Sequence, residues 1–428
     1  MLNLTGSPNV TKHWLTAAFL LSLSPLLVAE AVAGLGLEEA TSRTLSGNPH
    51  LVAAGFQIQA QEGRWLQSHV RPSPELGLQV ENVLGSDEYD VGDGAETTLS
   101  LSWVLERGKR QQYINTARAG VSVAQGQVEI QRLEVVARTA HLFLDALEYQ
   151  EQVKLSEEAV TLAGETVALV NKRVKVGRAA LADRARAEAE QARIRLLAGD
   201  MKHELASARH KLAAQWGASE PDFQRVSAAW QQLPQPEKLA ALMARVETSP
   251  SMTIYLNRQR LREAELRLAQ IKNKPDWRMN VGVRRLEMTD DHAFVAGITI
   301  PLAASDSNRG YLAEAQANLA LVDAERQATR VQIEAQLFAL SQALEHSLHR
   351  SEALRDDVLP LLQTAVSQTQ QGYESGRYSY YELQQLQAQL LQARGELVQA
   401  SINAHRHLIE IERLTGTVMP TAVQQAGN

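Results

Sequence analysis

Few side chains in this 428-residue sequence have the type and spacing to do chemistry. There is no cysteine, which excludes a disulfide framework, a thiolate metal site and a thiol nucleophile. No phosphate-cradling glycine loop, glycine-framed serine or paired-histidine zinc motif occurs. His346 and His349, and His203 and His210, fall at spacings that share a helix face. Neither pair has a third ligand nearby, so both read as solvated histidines on a polar stripe. His405 and His407 are two apart and point to different sides of a helix. The expectation is no catalytic residue, no metal site and no cofactor, hence no enzyme. Two acids stand apart. Asp183 lies six residues past Gly177, and Glu382 lies six past Gly376. They admit two readings, a paired functional carboxylate or two ordinary acids near helix starts, where the dipole favours them.

Those glycines belong to a duplication. Gly177-Arg178 recurs as Gly376-Arg377, Gly217 as Gly416 and Arg110 as Arg309, each 199 residues on. Asn48-Pro49 answers Ser249-Pro250, and Arg71-Pro72 answers Lys274-Pro275, at slightly longer offsets. A period near 200 residues is too long for a solenoid and indicates two copies of one large unit. The expected units are 34–216 and 239–416, with a proline-bearing linker or equatorial segment at 217–238 and a tail at 417–428.

Each unit reads as a short helix (Leu37 to Ser68; Leu239 to Lys272), two strands and a long helical hairpin (106–216; 308–416). Strands are expected at 75–84, 97–105, 276–285 and 292–301. Leu99, Leu101, Trp103 and Leu105 alternate with polar residues, as do Trp277, Met279, Val281 and Val283, then Phe294, Ala296, Ile298 and Ile300, and more weakly Leu76, Leu78 and Val80. Such segments suit a membrane barrel, although an ordinary half-buried antiparallel sheet shows the same period. Four strands are too few to close a barrel alone, so several subunits would share one. From Arg110 to Gly177 no proline intervenes, and a helix over that span would reach roughly 100 Å. Leu383, Leu386, Leu390, Ala393, Leu397, Ala400, Ala404, His407, Ile411 and Leu414 step by three and four, the seam of a coiled coil. Pro360 should kink or split the second long helix. Gly177 and Gly376 read as the hairpin tips.

Composition agrees with long helices packed through small side chains: 44 % hydrophobic but only 5 % aromatic. A net charge of −6 argues against nucleic acid as a partner. Residues 1–33 read as a signal peptide, with Lys12 and His13, an apolar run from Leu15 to Val28, and Ala31-Val32-Ala33 as a cleavage site; a membrane anchor is the other reading. After Ala33 no stretch approaches the ~20 apolar residues of a spanning helix, so membrane entry would require a closed β-barrel.

The duplicated strand-strand-hairpin plan resembles the TolC-type outer-membrane efflux proteins over nearly the whole chain. Three stretches look like the heavy-metal (CzcC-like) branch: Leu101-Ser102-Trp103-Val104-Leu105-Glu106-Arg107-Gly108-Lys109-Arg110; Ile300-Pro301-Leu302 with Asn308-Arg309-Gly310; and Gly372-Tyr373-Glu374-Ser375-Gly376-Arg377-Tyr378-Ser379-Tyr380. Val104 stands where that branch usually has proline, and Ala303-Ala304 where it has proline and an aromatic residue. The resemblance implies a mainly α fold with a barrel contribution. It implies a homotrimer closing a twelve-stranded β-barrel in outer-membrane lipid, continued by an α-helical tunnel in the periplasm. It implies a passive exit duct that works with a periplasmic adaptor and an inner-membrane pump, of RND type in the metal branch. It also places Asp183 and Glu382 at the pore gate; carboxylates gathered there would repel one another, so hydrogen bonds from Arg178, Tyr378 or Tyr381 are expected to hold it shut. The adaptor would dock on the tips, at Gly177, Arg178, Ala179, Leu181, Gly376, Arg377, Tyr378 and Ser379. The rival readings are a periplasmic adaptor, which would carry one hairpin and lipoyl-like β segments, and a secreted coiled-coil protein without a pore.

Overall fold

A computed structural model describes residues 34–84, 86, 92–302 and 308–417. The expected signal peptide and the tail from residue 418 lie outside the described residues, as does Ala303-Ala304.

Each half opens with two helices where one was expected. α1 (Leu37–Gly47) gives way to α2 (Pro49–Ser68) at Asn48, and later α5 (Leu239–Val246) precedes α6 (Pro250–Lys272), with Ser249 as the cap. The proline after each cap is the cause. Its ring drives the preceding residue into extended backbone, with ψ of 122° at Asn48 and 151° at Ser249. The Asn48 side chain then accepts from the His50 and Leu51 amides at 2.9 and 3.2 Å and restarts the helix.

α3 (Lys109–Lys175) runs unbroken for 67 residues and returns as α4 (Leu181–Ala213). Its counterpart covers 309–375 but is divided. α7 (Arg309–Ala353) passes through a π turn at Leu354–Val358 into α8 (Leu359–Ser375), and α9 (Tyr380–Thr415) returns. Pro360 offers no N–H to the Asp356 carbonyl and crowds it, so the helix widens just ahead of the ring. Near the sheet α2, α3, α6 and α7 pack side by side; towards the tips α4, α3, α9 and α8 do. Each level is thus four helices wide.

Between these levels lies the principal core. Phe143, Leu144 and Leu147 of α3, Leu212 of α4 and Ile402 of α9 meet Leu35, Phe223 and Val226 there. The segment 217–238 is tied in by polar contacts. Gln150 donates to the Val226 carbonyl and accepts from its amide, both at 3.1 Å, and His405 Nε2 lies 3.1 Å from the Trp230 carbonyl. This belt alters the α9 seam. From Leu383 to Ala393 one stripe is buried, but from Val398 onwards burial spreads around the helix, taking in Ser401, Ile402 and His405. His405 is buried and His407 only half-buried, the reverse of the seam pattern, because the belt covers a second side.

The strands β1 (Glu75–Glu81), β2 (Glu96–Leu105), β3 (Trp277–Leu286) and β4 (Asp291–Thr299) form one antiparallel sheet in that order. Register puts Leu78, Leu99, Val283 and Phe294 in one row, and Leu76, Leu101, Val281 and Ala296 in the next. This apolar face lies open, with Phe294 95 % exposed. The opposite face is polar, and the backbone approaches closely there: a Cβ on Gly282 would fall 2.6 Å from the Leu99 carbonyl. There Arg284 ties three strands together, to Glu81 at 3.0 Å, Glu96 at 2.5 Å and the Thr98 hydroxyl at 3.0 Å. Among the described residues β1 and β4 leave their outer edges unpaired.

Phe143 is wholly buried where α3 meets the belt. Phe143→Ala should cost about 3–5 kcal/mol. Thermal unfolding followed by circular dichroism should show the drop, and an unchanged midpoint would place the stabilising core elsewhere.

Candidate functional site: the hairpin tips

Both long helices end in the same way. Gly177 and Gly376 adopt φ of 70° and 86°, open to them without a Cβ penalty. The Arg178 amide reaches back to the Arg173 carbonyl at 2.9 Å and the Gly177 amide to Val174 at 3.0 Å. Arg377 bonds to Gly372 at 2.8 Å and Gly376 to Tyr373 at 3.0 Å. These are two Schellman turns on equivalent residues.

The returning helices start differently. Ser379 caps α9: its hydroxyl accepts from the Glu382 amide at 3.3 Å, while Glu382 Oε2 accepts from the Ser379 amide and hydroxyl, each at 2.7 Å. Those two donors hold the Glu382 carboxyl below its ordinary pKa. Ala180 has no side-chain acceptor, so only the return bond forms on α4, from the Ala180 amide to Asp183 Oδ2 at 3.3 Å.

Between the tips lies a small core. Val170, Ala187, Tyr373, Tyr380 and Leu383 are all buried together. The Arg173 guanidinium stacks over the Tyr373 ring at 4.4 Å and donates to the Arg178 carbonyl at 3.0 Å. Burial raises the pKa of both Tyr373 and Tyr380, and the Asp183 carboxylate adds to each shift. Asp183 is therefore half-buried at the seam between hairpins, while Glu382 is exposed. No hydrogen bond described within the subunit joins the two acids, or either acid to Tyr378 or Tyr381. Tyr378 instead packs its ring onto Gly372, leaving no room for a Cβ there.

Of the residues singled out in the sequence, Gly177, Arg178, Gly376, Arg377, Tyr378 and Ser379 lie exposed at the turns, as does Leu181 at 74 %, with Ala179 half-buried. Arg173, Tyr373 and Tyr380 were missed as site residues. A signal existed: four of the chain's nine tyrosines, at 373, 378, 380 and 381, crowd around one glycine. His346 and His349 are exposed, and among the described residues no three of His, Asp or Glu gather as a metal site.

A duplicated pair of very long hairpins joined to a sheet with an open apolar face defines a channel-type membrane fold. The structure resembles the outer membrane protein VceC of Vibrio cholerae, with a TM-score of 0.69 at 17 % identity over 89 % of this chain and 96 % of that one. In sequence it is 28 % identical to the cobalt-zinc-cadmium resistance protein CzcC of Cupriavidus metallidurans, covering 92 % of this chain and 93 % of the relative. It is 24 % identical to the nickel and cobalt resistance protein CnrC of the same organism, over 72 % and 73 %. Residues 40–218 match the family model described as outer membrane efflux protein. Residues 40–218 thus carry an outer membrane efflux protein domain, and over nearly its whole length the chain is similar to an efflux-type metal-resistance protein and shares the fold of outer-membrane channels.

Ser379→Ala removes both the cap acceptor and one of the donors to Glu382. The variant should lose about 1 kcal/mol of local stability. Glu382 should also titrate nearer the ordinary carboxylate range. Its lowered pKa contributes stability above the unfolded-state value, lost as pH falls through the folded one. A side-chain NMR titration that found Glu382 unmoved in the variant would sink this assignment.

Proposed function

We propose that this protein is the outer-membrane exit duct of a tripartite efflux system that expels heavy-metal cations. The sheet carries the channel half of this reading. Four strands with an apolar open face and two free edges need further strands before a barrel of eight or more can close. Three copies joined β1 to β4 make twelve, and the four-helix width of each copy then supplies a twelve-helix periplasmic tunnel. The duct does no chemistry; an inner-membrane pump of RND type supplies the energy. The metal cargo is supported by the names of the two relatives, which confer resistance to cobalt, zinc and cadmium and to nickel and cobalt.

The tips dock a periplasmic adaptor in this reading. Exposed apolar Val176, Leu181 and Tyr381 stand beside the exposed Arg178 and Arg377, a surface with no function in the isolated subunit. Deleting the gene should sensitise the host to cobalt, zinc, cadmium or nickel. Complementation with Arg178→Glu plus Arg377→Glu should fail to restore tolerance, though the detergent-extracted assembly still sizes as a trimer. Full tolerance in that strain would move the docking surface elsewhere, and unchanged metal sensitivity on deletion would remove the cargo.

Asp183 and Glu382 form the gate. Three copies of each would gather at the narrow end within about a Debye length of 8 Å, repelling one another and concentrating cations. Asp183→Asn with Glu382→Gln should lower cation selectivity and relieve block by trivalent cations in planar-bilayer recordings. Selectivity and block that match the unaltered protein would leave both acids as helix-start residues.

A further inference from the structure

Ion pairs are dense along the helices and thin out where the helices meet the sheet. Arg184 pairs with Glu188, Arg330 with Glu334, and Arg406 with both Asp145 and Glu148. At the junction the pattern changes. Arg71 ahead of β1, Arg107 after β2, and Lys272 and Lys274 ahead of β3 are exposed, and none has a carboxylate partner among the described residues. Asp276 at this level is held by Lys109 at 3.0 Å, which among the described residues leaves Glu75 and Glu106 against the four cations. A chain of net charge −6 thus carries a basic collar at one height.

Two of these cations are placed over aromatic rings. Lys272 lies 3.6 Å from the centroid of Tyr311, and the Arg107 guanidinium 4.6 Å from that of Trp277. Trp277 faces Leu105 across the register, on the apolar side of the sheet and at the strand end nearest the helices. Arg107 reaches it through a strained turn: its φ is 45°, that of Gly108 is 87°, and the Lys109 amide closes the turn on the Glu106 carbonyl at 3.0 Å. A tryptophan at the rim of an apolar band, with a cation stacked on it, sits at the headgroup level of a bilayer. The ring and stem lie along the acyl chains and the charge faces the phosphates.

We propose that Arg107, stacked on Trp277, and Lys274, three residues ahead of that ring in the chain, bind the phosphate of an anionic phospholipid in the leaflet on the helix side of the membrane. A phospholipid fits better than a free anion, because the cations border an apolar surface that would hold acyl chains. The inference rests on the lipid-facing reading of the apolar sheet face but not on the number of copies that close the barrel.

Native mass spectrometry of the full chain in a non-ionic detergent tests this, with added dioleoyl phosphatidylglycerol or dioleoyl phosphatidylcholine as the probes. The unaltered protein should retain phosphatidylglycerol preferentially. Arg107→Gln with Lys274→Gln should weaken that retention about 25-fold, at roughly fivefold per cation. Arg107→Lys should keep most of it. Should the double variant fail to fold, Lys274→Gln alone leaves the ring stacking intact and should cost about fivefold. Equal retention of the two lipids, or undiminished binding by the variants, would overturn the site. Displacement by inorganic phosphate at matched ionic strength would assign it to a free anion instead and would also overturn it. The same spectra count the copies: monomers that still discriminate the lipids would remove the trimer and leave this site standing.

Discussion

A backbone amide inside hydrocarbon has no water to bond to, and each unsatisfied one costs several kcal/mol. That constraint governs a four-stranded sheet whose two outer edges are unpaired among the described residues. β1 and β4 together would expose a row of donors and acceptors in the membrane, so the sheet is stable there only when another sheet continues it. Gly282 lets β3 approach β2 where no side chain would fit, and Arg284 binds β1, β2 and β3 into one panel on the polar face. The bulky apolar residues go to the other face, where hydrocarbon would replace the core that a soluble sheet needs.

The helices inherit this geometry. Each strand feeds a helix at the same end of the sheet, so the lateral order of strands becomes a lateral order of helices, α2, α3, α6 and α7. Because α3 alone is about 100 Å long, small angular errors at the sheet would grow into large displacements at the tips. The belt counters that. It clamps the middle of α3, the last turns of α4 and the C-terminal half of α9 through a dry core and a handful of polar ties to 217–238. Arg406 with Asp145 and Glu148, and Glu410 with His141 and Arg413, cross-link α3 and α9 at the same height. Glu410 is held down to a pKa of about 2 there, led by its bond to His141. Glu410 therefore stays ionised throughout the neutral range.

Much of this was legible from the chain because it follows local periods. Alternation marks the strands, steps of three and four mark α9, and a glycine after each long helix marks the turn. What the sequence hid depends on partners far apart. Arg284 finds Glu81 and Glu96 only through a register across roughly two hundred residues, and Arg173 meets Tyr373 across the same distance. The belt is hidden for another reason. The segment 217–238 has no periodicity of its own, so nothing announces that it will bury a second side of α9 and draw His405 inward. Asn48-Pro49 and Ser249-Pro250, by contrast, were visible as repeat markers, and their geometry alone dictates the helix break that a looser hydrophobic pattern obscured.

The two tips show how duplication can preserve a position while changing its physics. Asp183 and Glu382 occupy the same place after the same glycine turn, yet their surroundings have diverged. Ser379 gives Glu382 two donors, so that acid is charged, exposed and locally satisfied. Ala180 gives Asp183 only one long bond, and its charge helps raise the pKa of the buried Tyr373 and Tyr380. The Tyr373 hydroxyl is buried and has no hydrogen-bond partner in the subunit. An acid with spare acceptor capacity and an unsatisfied phenol in one seam are its weak point, because a movement that paired them would satisfy a buried donor. A satisfied acid such as Glu382 gains nothing from such a shift. A slide of one hairpin on the other would therefore change the hydrogen bonding of the Asp183–Tyr373–Arg173 seam and leave that of Glu382 as it is.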